Sequence, residues 1–113
     1  MAYNEDLANR VREYLATHIN LEIIEKKMFG GLAFLVNGKM CVNISGDRLM
    51  CRFAPQQTEE IAEKTGFLPC IMRGKQLNGY CYVEEIGYKS PKDFVFWLNL
   101  CLDFNKKAKK SGK

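Results

Sequence analysis

The sequence predicts an α+β domain of two layers, an antiparallel sheet with helices on one face, in the order α-β(3–4)-α-β(2)-α. Three observations support this fold class. Stretches with apolar residues at three- and four-residue spacing lie near both ends of the chain. Short apolar runs lie between them, separated by glycine and asparagine at hairpin spacing. A helix that begins at a proline interrupts these runs, and strands joined by short turns form antiparallel sheets.

The first helix is predicted from Asn4 or Glu5 to about Thr17. Asn4 is a suitable N-cap, and acidic residues in the first turn favour the positive end of the helix dipole. The apolar stripe at helical spacing consists of Leu7, Val11, Tyr14, Leu15 and His18. His18 is the single histidine of the chain, and at the far end of this helix it either packs or interacts with the dipole.

A meander of three or four strands follows the first helix. The predicted strands are 23–27, 32–36, 39–44 and 48–54. Asn37-Gly38 predicts a tight hairpin because both residues tolerate positive φ. Gly30-Gly31 indicates a bend, a bulge or a backbone packed too closely for a side chain.

A second helix is predicted from Pro55 to about Thr65. Proline costs no hydrogen bond at the first helical position, and Gly66 stands where a glycine often ends a helix. The apolar stripe of this segment is thin. We therefore expect the helix to lie on the surface with one side turned inward.

Two further strands complete the predicted sheet. They are 70–73 and 79–86, with a turn at 74–78. Tyr80 and Tyr82 lie on one side of the last strand, where tyrosines could stack single-stranded bases if basic residues shared that face. Glu84 continues the same side instead, so core or interface packing is favoured.

The last helix opens at Ser90-Pro91, with Asp93 placed close to a capping box. It is apolar on nearly all sides, at Phe94, Val95, Trp97, Leu98, Leu100, Cys101, Leu102 and Phe104. A helix of this kind is buried on more than one side, and a sheet covers only one. The other side is covered either by the first helix or by a second copy of the chain, which leaves a homodimer through the last helix open.

Charge divides the chain of 113 residues into a domain, 1–105, and a lysine-rich flexible tail, 106–113. All 13 acidic residues lie within the domain, and five of the 17 basic residues lie in the tail. The tail could make weak, non-specific contact with nucleic acid, although a solvated chain end is favoured. The N-terminus has no apolar signal segment, and no run approaches the length of a membrane span, which predicts a cytoplasmic protein.

No motif indicates an enzyme, a metal site or a cofactor. Five cysteines form no CxxC pair, which is typical of reduced thiols packed as small core residues. Phosphate loops, zinc-protease motifs and nucleophile elbows are absent from the sequence. Small-ligand binding or cysteine-based catalysis is kept as a second alternative, which requires a cysteine with a lowered pKa beside His18 or an arginine in a cleft.

The segment 27–40, KMFGGLAFLVNGKM, resembles the N-terminal domain of the TfoX (Sxy) family of bacterial competence regulators. Further residues that match the family pattern are Leu49, Arg52, Gly74, Gly79, Tyr80, Tyr82, Val83 and Trp97. The resemblance covers about residues 5–105 and implies the same two-layer fold. Members that act in competence carry a second, helical domain, so this chain resembles a stand-alone form. The motif residues expected to be structural are Met28, Phe29, Gly30, Gly31, Gly79 and Tyr80.

The resemblance implies a non-enzymatic regulatory module that acts by contacting another protein. Arg52, Arg73 and Trp97 are the residues predicted to contact a partner or an anion. The first alternative is a nucleic-acid-binding protein that uses the lysine tail together with the two arginines.

Overall fold

The computed structural model describes residues 3–18, 20–28 and 30–107. Its helices are α1 (Glu5–Ala16), α2 (Thr58–Ile61), α3 (Glu85–Tyr88) and α4 (Pro91–Asn105). Its strands are β1 (Ile23–Met28), β2 (Gly31–Val36), β3 (Lys39–Ser45), β4 (Arg48–Arg52), β5 (Phe67–Met72) and β6 (Lys75–Val83). These elements confirm the predicted α+β class. No helix within the described ranges is long and apolar enough to cross a membrane.

The six strands form one antiparallel sheet in the order β1-β2-β3-β4-β6-β5. The first four strands are successive hairpins. The chain then passes through a 3-10 turn at Pro55–Gln57 and through α2, and returns as β5 at the far edge. Strand β6 fills the position between β4 and β5, so the sequence neighbours β4 and β5 are not neighbours in the sheet.

The helices lie on one face of this sheet, as predicted. Their buried residues join alternate strand residues in a single apolar core that contains Leu7, Val11, Leu15, Leu32, Phe34, Val42, Ile44, Leu49, Cys51, Ile61, Cys81, Val83, Tyr88, Trp97, Leu98 and Cys101. Asn4 caps α1 by accepting a hydrogen bond from the backbone N–H of Leu7, and Ser90 caps α4 in the same way. Both predicted caps are therefore confirmed.

The turns between strands confirm one part of the predicted sheet and correct another. Asn37 and Gly38 have φ of 54° and 82° and form the predicted two-residue hairpin turn. Arg73 and Gly74, with φ of 52° and 79°, form a second one, where the sequence indicated a longer turn at 74–78. Strand β6 consequently begins four residues earlier than predicted, at Lys75.

The end of β6 also differs from the prediction of a strand through residue 86. The strand stops at Val83, and Glu84 is the N-cap residue of the short helix α3. Strand β5 begins at Phe67 rather than at Cys70 and includes Pro69. An edge strand tolerates proline because one side of its backbone has no ladder partner.

The predicted helix from Pro55 to Thr65 is replaced by the 3-10 turn and the single turn of α2. The Thr58 hydroxyl donates to the Pro55 carbonyl at 2.6 Å and accepts the Gly79 N–H at 3.1 Å, which ties this segment to β6. Only Thr58 and Ile61 are buried within α2. With so little apolar surface to bury, nothing favours the continuation of the helix beyond Ile61.

The apolar last helix packs on α3, β3 and β4, and side chains of α1 and of the segment after α2 contact parts of its remaining surface. The Tyr14 ring packs edge-on against Phe94 with centroids 6.3 Å apart, and its hydroxyl donates to Asn99. The Lys64 ammonium lies 4.2 Å from the centre of the Phe96 ring. In the described part of the chain, the large apolar residues that are exposed are Ile24, Ile71, Met72 and Ile86, and none belongs to α4.

Candidate functional site

The opposite face of the sheet carries no helix in the described part of the chain. Strand register places one residue of each strand in a row across it, namely Lys26, Ala33, Asn43, Met50, Tyr82 and Leu68. We call this row, together with Arg48, Arg52 and Tyr80, the open face. Ala33 and Met50 are buried but do not belong to the apolar core beneath the helices. The sheet therefore has a second packed surface.

Asn43 lies at the centre of the open face and is only 4% exposed. Its amide nitrogen is 3.5 Å from the sulfur of Met40 and 3.8 Å from that of Met50, and both sulfurs are weak acceptors. Its Oδ1 atom is buried and has no hydrogen-bond partner among the described residues. An unpaired buried acceptor of this kind costs about 1–3 kcal/mol, and an N–H group brought to this face would satisfy it.

Two arginines of β4 lie over the two tyrosines of β6. The Arg48 guanidinium is 4.8 Å from the centre of the Tyr82 ring, and that of Arg52 is 6.0 Å from the centre of Tyr80. Arg52 also donates to the Met40 carbonyl at 3.2 Å and lies 5.5 Å from the centre of the Phe104 ring of α4, closer than to Tyr80, so it occupies the end of the sheet between α4 and the open face. Burial raises the pKa of the Tyr82 hydroxyl, so this ring is neutral over the physiological pH range.

This pairing supplies the basic neighbours that sequence reasoning did not find beside the tyrosines. The sequence placed Glu84 on the same side, but β6 ends before it and Glu84 lies outside the strand. The basic partners come from β4, which is not adjacent to β6 along the chain. Nothing in the linear pattern indicates that these two strands are paired.

The predicted contact residues Arg52, Arg73 and Trp97 do not form one site. Arg73 is exposed in the turn before β6, whereas Arg52 pairs with Tyr80 in the second half of that strand. Tyr80 lies five residues beyond the start of β6, which corresponds to about 17 Å of extended chain. Trp97 is 1% exposed and its indole N–H donates to the Gly87 carbonyl at 2.9 Å. The structure therefore places Trp97 in the core, where no partner reaches it.

The glycines of the family-like motif serve close packing. A Cβ atom on Gly31 would lie 2.0 Å from the backbone oxygen of Ile44, so β2 and β3 approach each other only with glycine there. Gly79 has φ of 88°, and a Cβ on it would lie 2.9 Å from the carbonyl oxygen of Phe53. Gly30 occupies the β1–β2 turn at φ of 71° and Met28 ends β1. Phe29 and residues 108–113 of the predicted tail lie outside the described residues.

The five cysteines are all buried and free. Burial raises the pKa of the Cys41 thiol despite the nearby Arg52 guanidinium, and hydrogen bonds to the Cys101 and Cys81 thiols, together with burial, raise that of Cys51. Burial raises the pKa of Cys70 as well. A nucleophilic cysteine requires the opposite shift. Among the described residues, no group of three or more metal-ligating side chains comes together.

A cleft of about 400 Å³ lies between the ends of α1 and α4 and the β2–β3 turn. Its lining includes His18, Lys39, Asn99, Asp103 and Asn105. The ring Nδ1 of His18 is 3.2 Å from the Tyr14 carbonyl. The same Nδ1 atom is also 3.2 Å from the Thr17 hydroxyl. The cleft has the volume of a small-ligand site but contains no cysteine, so the predicted pairing of a cysteine with His18 is not formed there.

Comparison with protein-family models matches residues 13–105 of the chain to the TfoX N-terminal domain. This match confirms the resemblance stated from the sequence; it begins within α1 and spans all six strands and α4. Neither the comparison with curated proteins nor that with solved structures finds a match.

Proposed function

The chain belongs to the TfoX N-terminal domain family, and we propose that it is a regulatory module without catalytic activity that acts by binding another protein. The observation that carries the proposal is the open face. It spans the whole width of the sheet and contains a buried asparagine with an unpaired acceptor. Protein surfaces that keep such a group at a cost in stability are expected to use it in recognition.

The composition of the open face supports a protein partner. Leu68 supplies half-buried apolar surface above the buried Met50 and Ala33, and arginines and tyrosines lie beside it. Arginine, tyrosine and methionine are enriched in protein–protein interfaces. Methionine in particular adapts its shape to different partners because its side chain is unbranched and polarizable.

The proposal includes a location in the cytoplasm and leaves the regulated process open between competence and another pathway. The homodimer through α4 stays part of the proposal, although contacts of α1 with Phe94 and Asn99 already occupy part of that helix. The proposed module presents its open face to a different protein.

Deletion and complementation in the organism that encodes the chain test the regulatory role. Transcript levels would be measured genome-wide in the deletion strain and after complementation with wild type or Arg48→Glu. Arg48 is exposed, so its substitution leaves the core unchanged. We expect a defined set of transcripts to change on deletion and to be restored by wild type only. Unchanged transcripts in the deletion strain under growth, starvation and DNA-uptake conditions would contradict the proposal.

A further inference from the structure

We propose that the open face binds an acidic, partly apolar segment of the partner protein, whose carboxylates pair with Arg48 and Arg52 and whose apolar side chains pack on the half-buried Leu68 and Tyr82. This inference rests on the proposed function and adds the chemistry of the partner. Three properties of the open face carry it, which are its charge, the stacking of its arginines and the unpaired acceptor at its centre.

The charge of the open face has a single sign. Lys26, Arg48 and Arg52 lie on it, and no aspartate or glutamate occupies a strand position on this face. The arrangement therefore attracts anionic groups and repels cationic ones. Repulsion also argues against a second copy of the chain, because a two-fold interface through this face would bring two surfaces of the same positive charge together.

The position of the arginines favours carboxylates over nucleic-acid bases. The Arg48 guanidinium lies over the Tyr82 ring, close enough to cover the ring face on which a base would stack, whereas that of Arg52 lies between the Tyr80 and Phe104 rings. The edge of a stacked guanidinium still presents several N–H donors in one plane, so two of them can bind the two oxygens of a carboxylate. Three cations are also few for a nucleic-acid surface, where about 6–10 phosphate contacts are common.

The unpaired acceptor adds a requirement for a hydrogen-bond donor. Asn43 lies between Ala33 and Met50 in the cross-strand row, beneath the path of a segment that crosses the open face. A backbone N–H of such a segment would donate to the Asn43 Oδ1 atom once the side chains that bury this atom have moved aside. The open face thus combines carboxylate binding by arginine, apolar cover and one buried hydrogen bond in a single row across the strands.

Fluorescence anisotropy with labelled peptides of about 12 residues tests the proposed chemistry. The first peptide combines glutamate with leucine, the second replaces each glutamate by glutamine, and the third replaces each leucine by serine. A single-stranded oligothymidine of similar length serves as the nucleic-acid probe. Binding is measured at about 50 and about 200 mM salt, and nitrogen-15 NMR shifts locate the contact on the chain.

We expect the glutamate–leucine peptide to bind, with shifts at Asn43, Met50 and Tyr82, and each altered peptide to bind about tenfold more weakly. Arg48→Glu is expected to weaken binding about tenfold, whereas Lys92→Glu, an exposed cation on α4, leaves it unchanged. Equal binding of the glutamine peptide, or shifts away from the open face, would overturn the inference. Tighter binding of the oligothymidine would assign the face to nucleic acid instead.

The two proposals fail in distinguishable ways. If deletion of the gene changes transcripts and Arg48→Glu complements fully, the regulatory role stands and the open face is not its contact surface. If deletion changes no transcript but the peptides bind as expected, the surface chemistry stands without the regulatory role. Unchanged nitrogen-15 spectra outside the substituted region show in each case that the variant is folded.

Discussion

Replacing Asn43 by valine is expected to stabilise the protein. The substitution removes a buried acceptor that has no partner among the described residues, and such a group costs about 1–3 kcal/mol. The lost contacts of the amide nitrogen to two methionine sulfurs, at 3.5 and 3.8 Å, are weak. Valine also favours a strand more than asparagine does. We expect the free energy of unfolding to rise by about 1–2 kcal/mol, with Tm rising by about 4 °C or more.

Urea unfolding followed by far-ultraviolet circular dichroism, under reducing conditions, measures this change. The slope against urea should stay constant, so that the shift in midpoint reports stability alone. Asn105→Leu is the matched control, because Asn105 is equally buried but its amide donates to the carbonyls of Val36 and Lys39. The free energy of unfolding of this control variant should fall by about 1–2 kcal/mol. A loss of stability in Asn43→Val as large as in the control would refute the reasoning.

Three further changes test other parts of the structure. Gly31→Ala should cost about 3 kcal/mol or more in urea unfolding, because its Cβ would lie 2.0 Å from a β3 carbonyl oxygen, whereas Gly30→Ala meets no atom within 4 Å and should cost about 1 kcal/mol. The Cys41 and Cys51 thiols have pKa values above that of an unfolded cysteine. Their contribution to stability is therefore fully present below about pH 8.5, and above it the free energy of unfolding falls by about 1.4 kcal/mol per pH unit for each thiol. Urea unfolding between pH 7 and 10 measures this fall, and a constant free energy of unfolding would contradict it. Trp97→Phe should cost about 1–3 kcal/mol by circular dichroism, because it leaves a buried carbonyl without its donor, and an unchanged midpoint would show that this hydrogen bond contributes nothing.

The sequence predicts the elements whose signals are local. Asn37-Gly38 determines its own hairpin, and Asn4 and Ser90 cap their helices with their own side chains. The prediction fails where stability comes from elsewhere in the chain. The 3-10 turn after β4 depends on Thr58 binding the backbone of β6, and the start of β5 is obscured by Pro69, which only an edge position accommodates.

The candidate site could be predicted only in part, for a topological reason. Alternation along β6 correctly separates Tyr80 and Tyr82 from the core-facing Cys81 and Val83. The arginines above the tyrosines come from β4, which is separated from β6 by the 3-10 turn, α2 and the whole of β5. Pairing between strands that are not consecutive depends on tertiary packing, and one sequence contains no local signal for it.

Asn43 links the stability of the domain to its proposed role, and the same variant tests both. No described contact of the fold depends on the Asn43 oxygen, so a sequence shaped by stability alone would carry an apolar residue there. If the amide is kept for a partner, Asn43→Val should be more stable than wild type yet bind the glutamate–leucine peptide about tenfold more weakly. Unchanged binding in this stabilised variant would show that the unpaired acceptor is a packing defect, and it would remove one of the three supports for the open face as a docking surface.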